Sequence, residues 1–182
     1  MASQLTKTQQ EFQDTLAECR TLFAKKLHDY GPSWRILRPS SLTDQLFIKA
    51  KRIRSLEITG ESLVGEGIRP EFIALINYSI VGLIQLERGF VDSVDMTADE
   101  ALALYDRYAK QAYELMMKKN HDYGEARRDM RTSSYTDLIL TKIERIKEIE
   151  NLGGATLVSE GIDSNYMDIM NYAVFGAIKL HE

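Results

Sequence analysis

The sequence predicts an all-α protein, a helical bundle made of two pseudo-two-fold-related three-helix repeats. Three observations carry this: the chain duplicates itself, its apolar residues recur with a helical period, and it holds only 3 prolines in 182 residues. The duplication appears when the segment from Lys25 is laid on the segment from Lys118. Lys25-Lys26-x-His28-Asp29-Tyr30-Gly31 returns as Lys118-Lys119-x-His121-Asp122-Tyr123-Gly124. Ser40-Ser41-x-Thr43-Asp44 returns as Ser133-Ser134-x-Thr136-Asp137, and Lys49-x-x-Arg52-Ile53-x-x-x-Glu57 returns as Lys142-x-x-Arg145-Ile146-x-x-x-Glu150. After one extra residue in the second copy, Leu63-Val64-x-Glu66-Gly67-Ile68 matches Leu157-Val158-x-Glu160-Gly161-Ile162. Asn77-Tyr78-x-x-x-Gly82 then matches Asn171-Tyr172-x-x-x-Gly176. Such self-similarity is the signature of a repeat architecture. The repeats span about residues 8–90 and 97–182 of what is read as a single compact domain, 1–182.

Each copy supplies three helices in order. The first runs from about Thr8 to Asp29, and its counterpart opens at Thr97, where Thr97-x-x-Glu100 has capping-box spacing. Gly31 and Gly124 fit left-handed C-caps, with the preceding lysines complementing the helix dipole. The second helix starts near Ser41 or Ser134, where Ser-x-x-Asp ending at Asp44 or Asp137 resembles a capping box. Its stripe of Leu46, Ala50 and Ile53, or of Ile139, Ile143 and Ile146, faces a core. The third helix follows Pro70 or Ser164. Phe72 to Val81 is apolar nearly all round, so this helix is expected to be buried. One three-helix copy has little core of its own, so the two copies are expected to pack together.

Composition narrows the function classes. With 44% hydrophobic and 27% charged residues the chain sits near the globular average, which excludes disordered and low-complexity classes. A single cysteine, Cys19, makes no internal disulfide, the polar start lacks a signal-peptide core, and no apolar run reaches a membrane span. The reading is a cytoplasmic protein with no membrane partner. A net charge of -4 disfavours polynucleotide binding, for which Arg35, Arg38, Arg52 and Arg54 with Trp34 would be needed. Gly-rich phosphate loops, Gly-x-Ser-x-Gly, Cys-x-x-Cys and His-Glu-x-x-His are all absent from the sequence.

The polar residues kept in both copies rank the candidates for chemistry. Lys49 with Arg52, and Lys142 with Arg145, each place a point charge and a fork-shaped donor about one turn apart, as a phosphate clamp would. Packing of their aliphatic stems over the core is the plainer alternative. Glu57 and Glu150 fall on the apolar stripe, where a carboxylate needs a cation, a metal or several donors. A salt bridge to the repeated Lys or Arg is the simplest partner. Glu66 and Glu160 precede the third helix. Asn77 and Asn171 lie in the most apolar helix, either locking the packing or reading a base or sugar. Asp29 and Asp122 are unfavourable at a helix C-terminus and call for a partner: a cation, a sugar hydroxyl, or the nearby Arg35 and Arg38 or their counterparts Arg128 and Arg131. The second copy is the more acidic: Asp168 stands where the first has Ala74, and Asp163 where it has Arg69. Glu150, Glu160 and Asp168, with Asp163 in reserve, form the set for Mg2+ or Mn2+ if carboxylates of the second and third helices converge.

Lys-x-x-Asp-Tyr-Gly ahead of Lys-x-x-Arg, then Glu-Gly-Ile and Asp168-Ile-x-Asn171-Tyr172, resembles the nucleotide modification associated domain family, here as a tandem arrangement covering nearly the whole chain. The resemblance implies a role near nucleotide metabolism. A more distant likeness is to MazG-like all-α nucleoside triphosphate pyrophosphatases, which hold magnesium with carboxylates from two adjacent helices. Only Glu160-x-x-Asp163 carries over by spacing; helix two departs, reading Glu144-x-x-x-Glu148-x-Glu150. The leading reading is a small-molecule nucleotide as ligand and a metal-dependent pyrophosphohydrolase activity. Glu160 and Asp168 would be catalytic, with Lys142 and Arg145 offsetting transition-state charge. Asn171, Tyr172, Asp122 and Tyr123 would meet sugar or base, with Lys49, Arg52, Asn77, Asp29 and Tyr30 their counterparts in a first copy that binds or supports. The alternative is a non-enzymatic helical nucleotide sensor or interaction module. Pairing into a homodimer is left open.

Overall fold

A computed structural model of the chain describes residues 5–60, 67–153 and 161–181. Among them six helices and no strand occur: α1 (Lys7–Tyr30), α2 (Pro39–Thr59), α3 (Arg69–Arg88), α4 (Ala98–Tyr123), α5 (Thr132–Asn151) and α6 (Ile162–His181). Short 3₁₀ turns at Ser33–Ile36 and Ala126–Asp129 join the first helix of each repeat to the second. The helices are those the sequence predicts, with boundary differences at the second and third helix of each repeat: α3 and α6 open at Arg69 and Ile162, ahead of Pro70 and Ser164. α2 and α5 open earlier than Ser41 and Ser134, at Pro39 and Thr132, after Arg38 and Arg131, which form no side-chain cap. Asp44 and Asp137 therefore lie inside the helices rather than completing a capping box. Proline in the first turn needs no N–H partner, which lets α2 start there.

The caps of the long helices follow ordinary chemistry. Thr6 and Gln9 form a reciprocal capping box at the start of α1, and Thr97 Oγ1 accepts from Glu100 N at 3.1 Å at the start of α4. Gly31 and Gly124 both have positive φ, 64° and 61°, a region that favours glycine. Their ψ values of -175° and -142° lie outside the helical left-handed region, so the chain leaves α1 and α4 extended.

The two repeats meet on a seam of α2 against α5 and α3 against α6, while α1 lies against α4. The duplicated glycines account for the closeness of the second pair. A Cβ at Gly82 would stand 2.9 Å from the Tyr166 ring, and one at Gly176 would stand 2.7 Å from the Phe72 ring. Phe72 and Tyr166 occupy equivalent positions in the two copies, so each repeat presses an aromatic ring into the other's glycine. Phe72, Leu75, Ile76 and Ile80 of α3 and Tyr166, Ile169 and Met170 of α6 are fully buried here, as the apolar run predicts.

The repeated glutamates belong to the same seam. Thr43 Oγ1 of α2 donates to Glu150 Oε1 at 2.6 Å, and Thr136 Oγ1 of α5 donates to Glu57 Oε2 at 3.1 Å. Each carboxylate thus takes a hydroxyl from the opposite repeat. This corrects the expected salt bridge to the repeated Lys or Arg: helix-to-helix pairing brings threonine, not a cation, to the stripe. Burial pushes the Glu57 carboxyl above its ordinary range, partly opposed by the Thr136 bond.

Candidate functional site

In the first repeat a cleft of about 580 Å³ opens between the end of α1, the 3₁₀ turn, α2 and α3. Lys26 and Tyr30 reach it from α1, Trp34 from the turn, Lys49 from α2, and Ala74 and Tyr78 from α3. Its size falls within the range of roughly 300–1,000 Å³ common for small-molecule sites. The turn that presents Trp34 is pinned from behind. Arg35, 2% exposed, donates to Gln85, to Gly89 O at 2.6 Å and to Asp95 at 3.1 Å. Gln85 Nε2 in turn donates to the carbonyls of Arg35 and Leu37 at 2.9 and 2.6 Å. Buried polar groups this well bonded fix a unique backbone path. Trp34 itself packs on Phe23 with ring centroids 6.1 Å apart.

The cationic wall of the cleft is organised by Glu71. This carboxylate is 5% exposed, accepts from Arg52 Nη1 at 3.0 Å, and lies 3.5 Å from Lys49 Nζ. Its Oε2 makes no hydrogen bond. The Lys49-x-x-Arg52 pair therefore converges, as its spacing predicts, and does so on a protein carboxylate. Asn77, also lining the cleft, donates to Cys19 O at 3.2 Å and accepts from Tyr105 Oη at 2.7 Å. It ties α3 to α1 and α4, the packing role open to it from the sequence.

The equivalent positions in the second repeat are arranged differently. Asp168, 7% exposed, lies with one oxygen 2.8 Å from Lys119 Nζ and the other 3.0 Å from Lys142 Nζ. The Arg127 guanidinium, at the position of Trp34, stands over the rings of Tyr123 and Tyr172 at 5.7 and 6.0 Å. Arg145 pairs along its own helix with Glu148 at 3.1 Å, while Lys142 pairs with Asp168, so among the described residues the second Lys-x-x-Arg pair meets two different carboxylates. Asn171 is 1% exposed and neither of its amide atoms has a hydrogen-bond partner. For Oδ1 the reason lies in α1, which carries Phe12 where α4 carries Tyr105, so the hydroxyl that serves Asn77 Oδ1 has no equivalent.

Of the proposed metal ligands, Asp163 and Asp168 line one cleft, a volume of about 840 Å³ between α3, α4 and α6. Glu150 faces the seam, bonded to Thr43. Glu160, like Glu66, lies outside the described residues. Among the described residues no group of three His, Cys, Asp or Glu side chains could hold a metal ion. A carboxylate flanked by two ammonium groups within 3.0 Å is a poor ligand for a hard cation, because the lysines already satisfy its charge. The described donors therefore do not fit a shared divalent ion.

Other candidates settle near the surface or in the core. Asp29 and Asp122 stand beside their own neighbours His28 and His121, at 3.2 and 3.3 Å, with Tyr30 and Tyr123 exposed next to them. Two of the expected arginine partners are engaged elsewhere. Arg35 serves the turn, while Arg128 reaches back to Thr8 at 2.9 Å and Glu11 at 3.0 Å on α1. Cys19 is buried and its thiol is pushed up to about 12, mainly by desolvation, so it holds no thiolate for nucleophilic chemistry at neutral pH.

Two contributors to the first cleft escape a ranking by duplication. Glu71 has Asn165 as its counterpart, so nothing in the repeat singles it out. Lys26 does recur, as Lys119, but a lysine near a helix C-terminus has a sufficient explanation in the helix dipole. The cleft is what brings Lys26 and Lys49 to the lining of one space.

The fold and site define a tandem-repeat, all-helical protein with a cationic, aromatic-lined cleft built from one repeat. The chain belongs to the family described as nucleotide modification associated domain 1, whose model matches residues 26–86 and 119–180, one copy on each repeat. No curated protein and no solved structure matches it. No helix among the described residues is long and apolar enough to cross a membrane.

Proposed function

We propose that this protein binds a nucleotide in the cleft of its first repeat and serves nucleotide metabolism or modification through that binding. The observation that carries the reading is the cleft's composition: Lys26, Lys49, Trp34 and Tyr78 together line a space of about 580 Å³. Lysine supplies a point charge for phosphate, and an aromatic face stacks on a base at roughly 1–3 kcal/mol per base. Glu71, paired with Lys49 and Arg52, holds the cationic side chains at the cleft. The family's name supports the ligand class.

The chain's single tryptophan lines this cleft, so intrinsic fluorescence reads occupancy directly. Titration with ribo- and deoxyribonucleoside mono-, di- and triphosphates is expected to change Trp34 emission saturably. Lys26→Gln is expected to weaken the affinity at least about tenfold, as loss of a charge-assisted phosphate contact does. Emission unchanged by every nucleotide, or a Lys26→Gln variant that binds like the parent, would overturn the reading. Cleavage of a triphosphate to monophosphate and pyrophosphate with Mg2+ or Mn2+ is the finer activity to assay alongside. Metal-dependent pyrophosphate release lost in Asp168→Ala would assign hydrolysis to the second repeat; nucleotide binding without release would leave a sensor or binding module.

A further inference from the structure

The two repeats place their acidic groups one helical turn apart on the third helix, and the displacement points to where a ligand's phosphate sits. In the second repeat Lys119 and Lys142 close on Asp168 at 2.8 and 3.0 Å. Their counterparts in the first repeat are Lys26 and Lys49, and the counterpart of Asp168 is Ala74. All three line the open cleft. Glu71 holds Lys49 from one turn earlier along α3, at 3.5 Å, and among the described residues no carboxylate stands at the position of Ala74 itself. Lys26 has no ion pair among the described residues, whereas Lys119 does.

Resting on the nucleotide reading above, we infer that Asp168 is a built-in stand-in for a ligand phosphate, and that the first repeat binds its ligand's phosphate over Ala74, between Lys26 and Lys49. The physical case is charge balance. Two ammonium groups held toward one point by neighbouring helices repel each other unless an anion lies between them. The second repeat meets that need with a covalently attached carboxylate. The first meets it with a small residue that leaves room for a diffusible one. The same logic makes the site phosphate-selective over neutral ligands, because binding removes a like-charge repulsion as well as forming hydrogen bonds.

The reciprocal substitution tests this. Ala74→Asp copies the second repeat's own arrangement, so the fold has a precedent for it, and Ala74→Asn gives the same shape without the charge. Binding of inorganic pyrophosphate and of ATP would be followed by calorimetry and by Trp34 emission, with folding checked by circular dichroism. Ala74→Asp is expected to weaken both probes roughly 100-fold, since like charges brought together strongly disfavour a complex, while Ala74→Asn loses less than about tenfold. An Ala74→Asp variant that binds like the parent, or an Ala74→Asn variant that loses as much, would overturn the phosphate position while leaving nucleotide binding in place. Pyrophosphate binding that obeys this pattern without any ATP binding would support the phosphate position and reject the nucleotide reading. A parent chain silent to both probes would reject the phosphate position, and silence across the nucleotide panel as well would reject the nucleotide reading.

Discussion

The first repeat gathers its cations around an open cleft, whereas the second spends the equivalent cations on itself. Lys49 and Arg52 share Glu71; Lys142 and Lys119 share Asp168. Trp34 in one becomes Arg127 in the other, and Tyr105 facing Asn77 becomes Phe12. The difference teaches that a few substitutions around a kept set of cations are enough to turn one cleft's charge pattern into another's. The residues held identical, such as Thr43, Glu57 and Gly82 with Thr136, Glu150 and Gly176, bond or pack across the seam. Seam residues are constrained twice, because each touches the other copy. In the cleft Trp34, Glu71 and Ala74 have diverged, to Arg127, Asn165 and Asp168, while Lys26, Lys49, Asn77 and Tyr78 are kept.

The largest effect that would break this comparison is expected from Asp168→Ala. It leaves two ammonium groups beside a buried position without that carboxylate, and removing one partner of such a group costs about 2–4 kcal/mol, toward the lower end because both lysines are partly solvated. Chemical denaturation would measure it; a loss under about 0.5 kcal/mol would make the ion pairs surface-like. Next comes Gly176→Ala, whose Cβ would overlap the Phe72 ring. Overpacking costs about 1–3 kcal/mol, offset in part by alanine's better helix propensity. Gly82→Ala against Tyr166 should cost comparably, and a large inequality between the two would show that the seam is not symmetric.

Tyr105→Phe sharpens the contrast in the core by making the first repeat like the second. It removes the hydroxyl that Asn77 accepts from at 2.7 Å and should cost about 1 kcal/mol in thermal or chemical unfolding. The smallest effect is expected from Glu57→Gln, which keeps an acceptor for Thr136. With the folded carboxyl raised, the native state binds more protons than the unfolded one within and just above the ordinary carboxylate range, so parent stability falls as pH rises through that window. The variant should therefore be the more stable at neutral pH, with the difference disappearing as pH falls below the ordinary carboxylate range. A difference independent of pH would place the Glu57 effect in packing instead.

The sequence by itself determined the architecture. Helical periodicity, scarce prolines, the Thr97 cap and the duplicated glycines are local or internal signals, and each has its counterpart in α1 to α6 and their pairing. It also named Lys49, Arg52 and Asn77 as residues to watch, because polar groups beside an apolar stripe must find partners. Tertiary structure alone decided who those partners are. Glu57 and Glu150 find threonines of the opposite repeat, Lys49 finds Glu71 from the next helix, and Asp168 falls between two lysines from two other helices. The physical reason is that helix period fixes which face a side chain occupies, while the crossing of one helix over another fixes what stands opposite it. Spacing along the chain is blind to that second geometry.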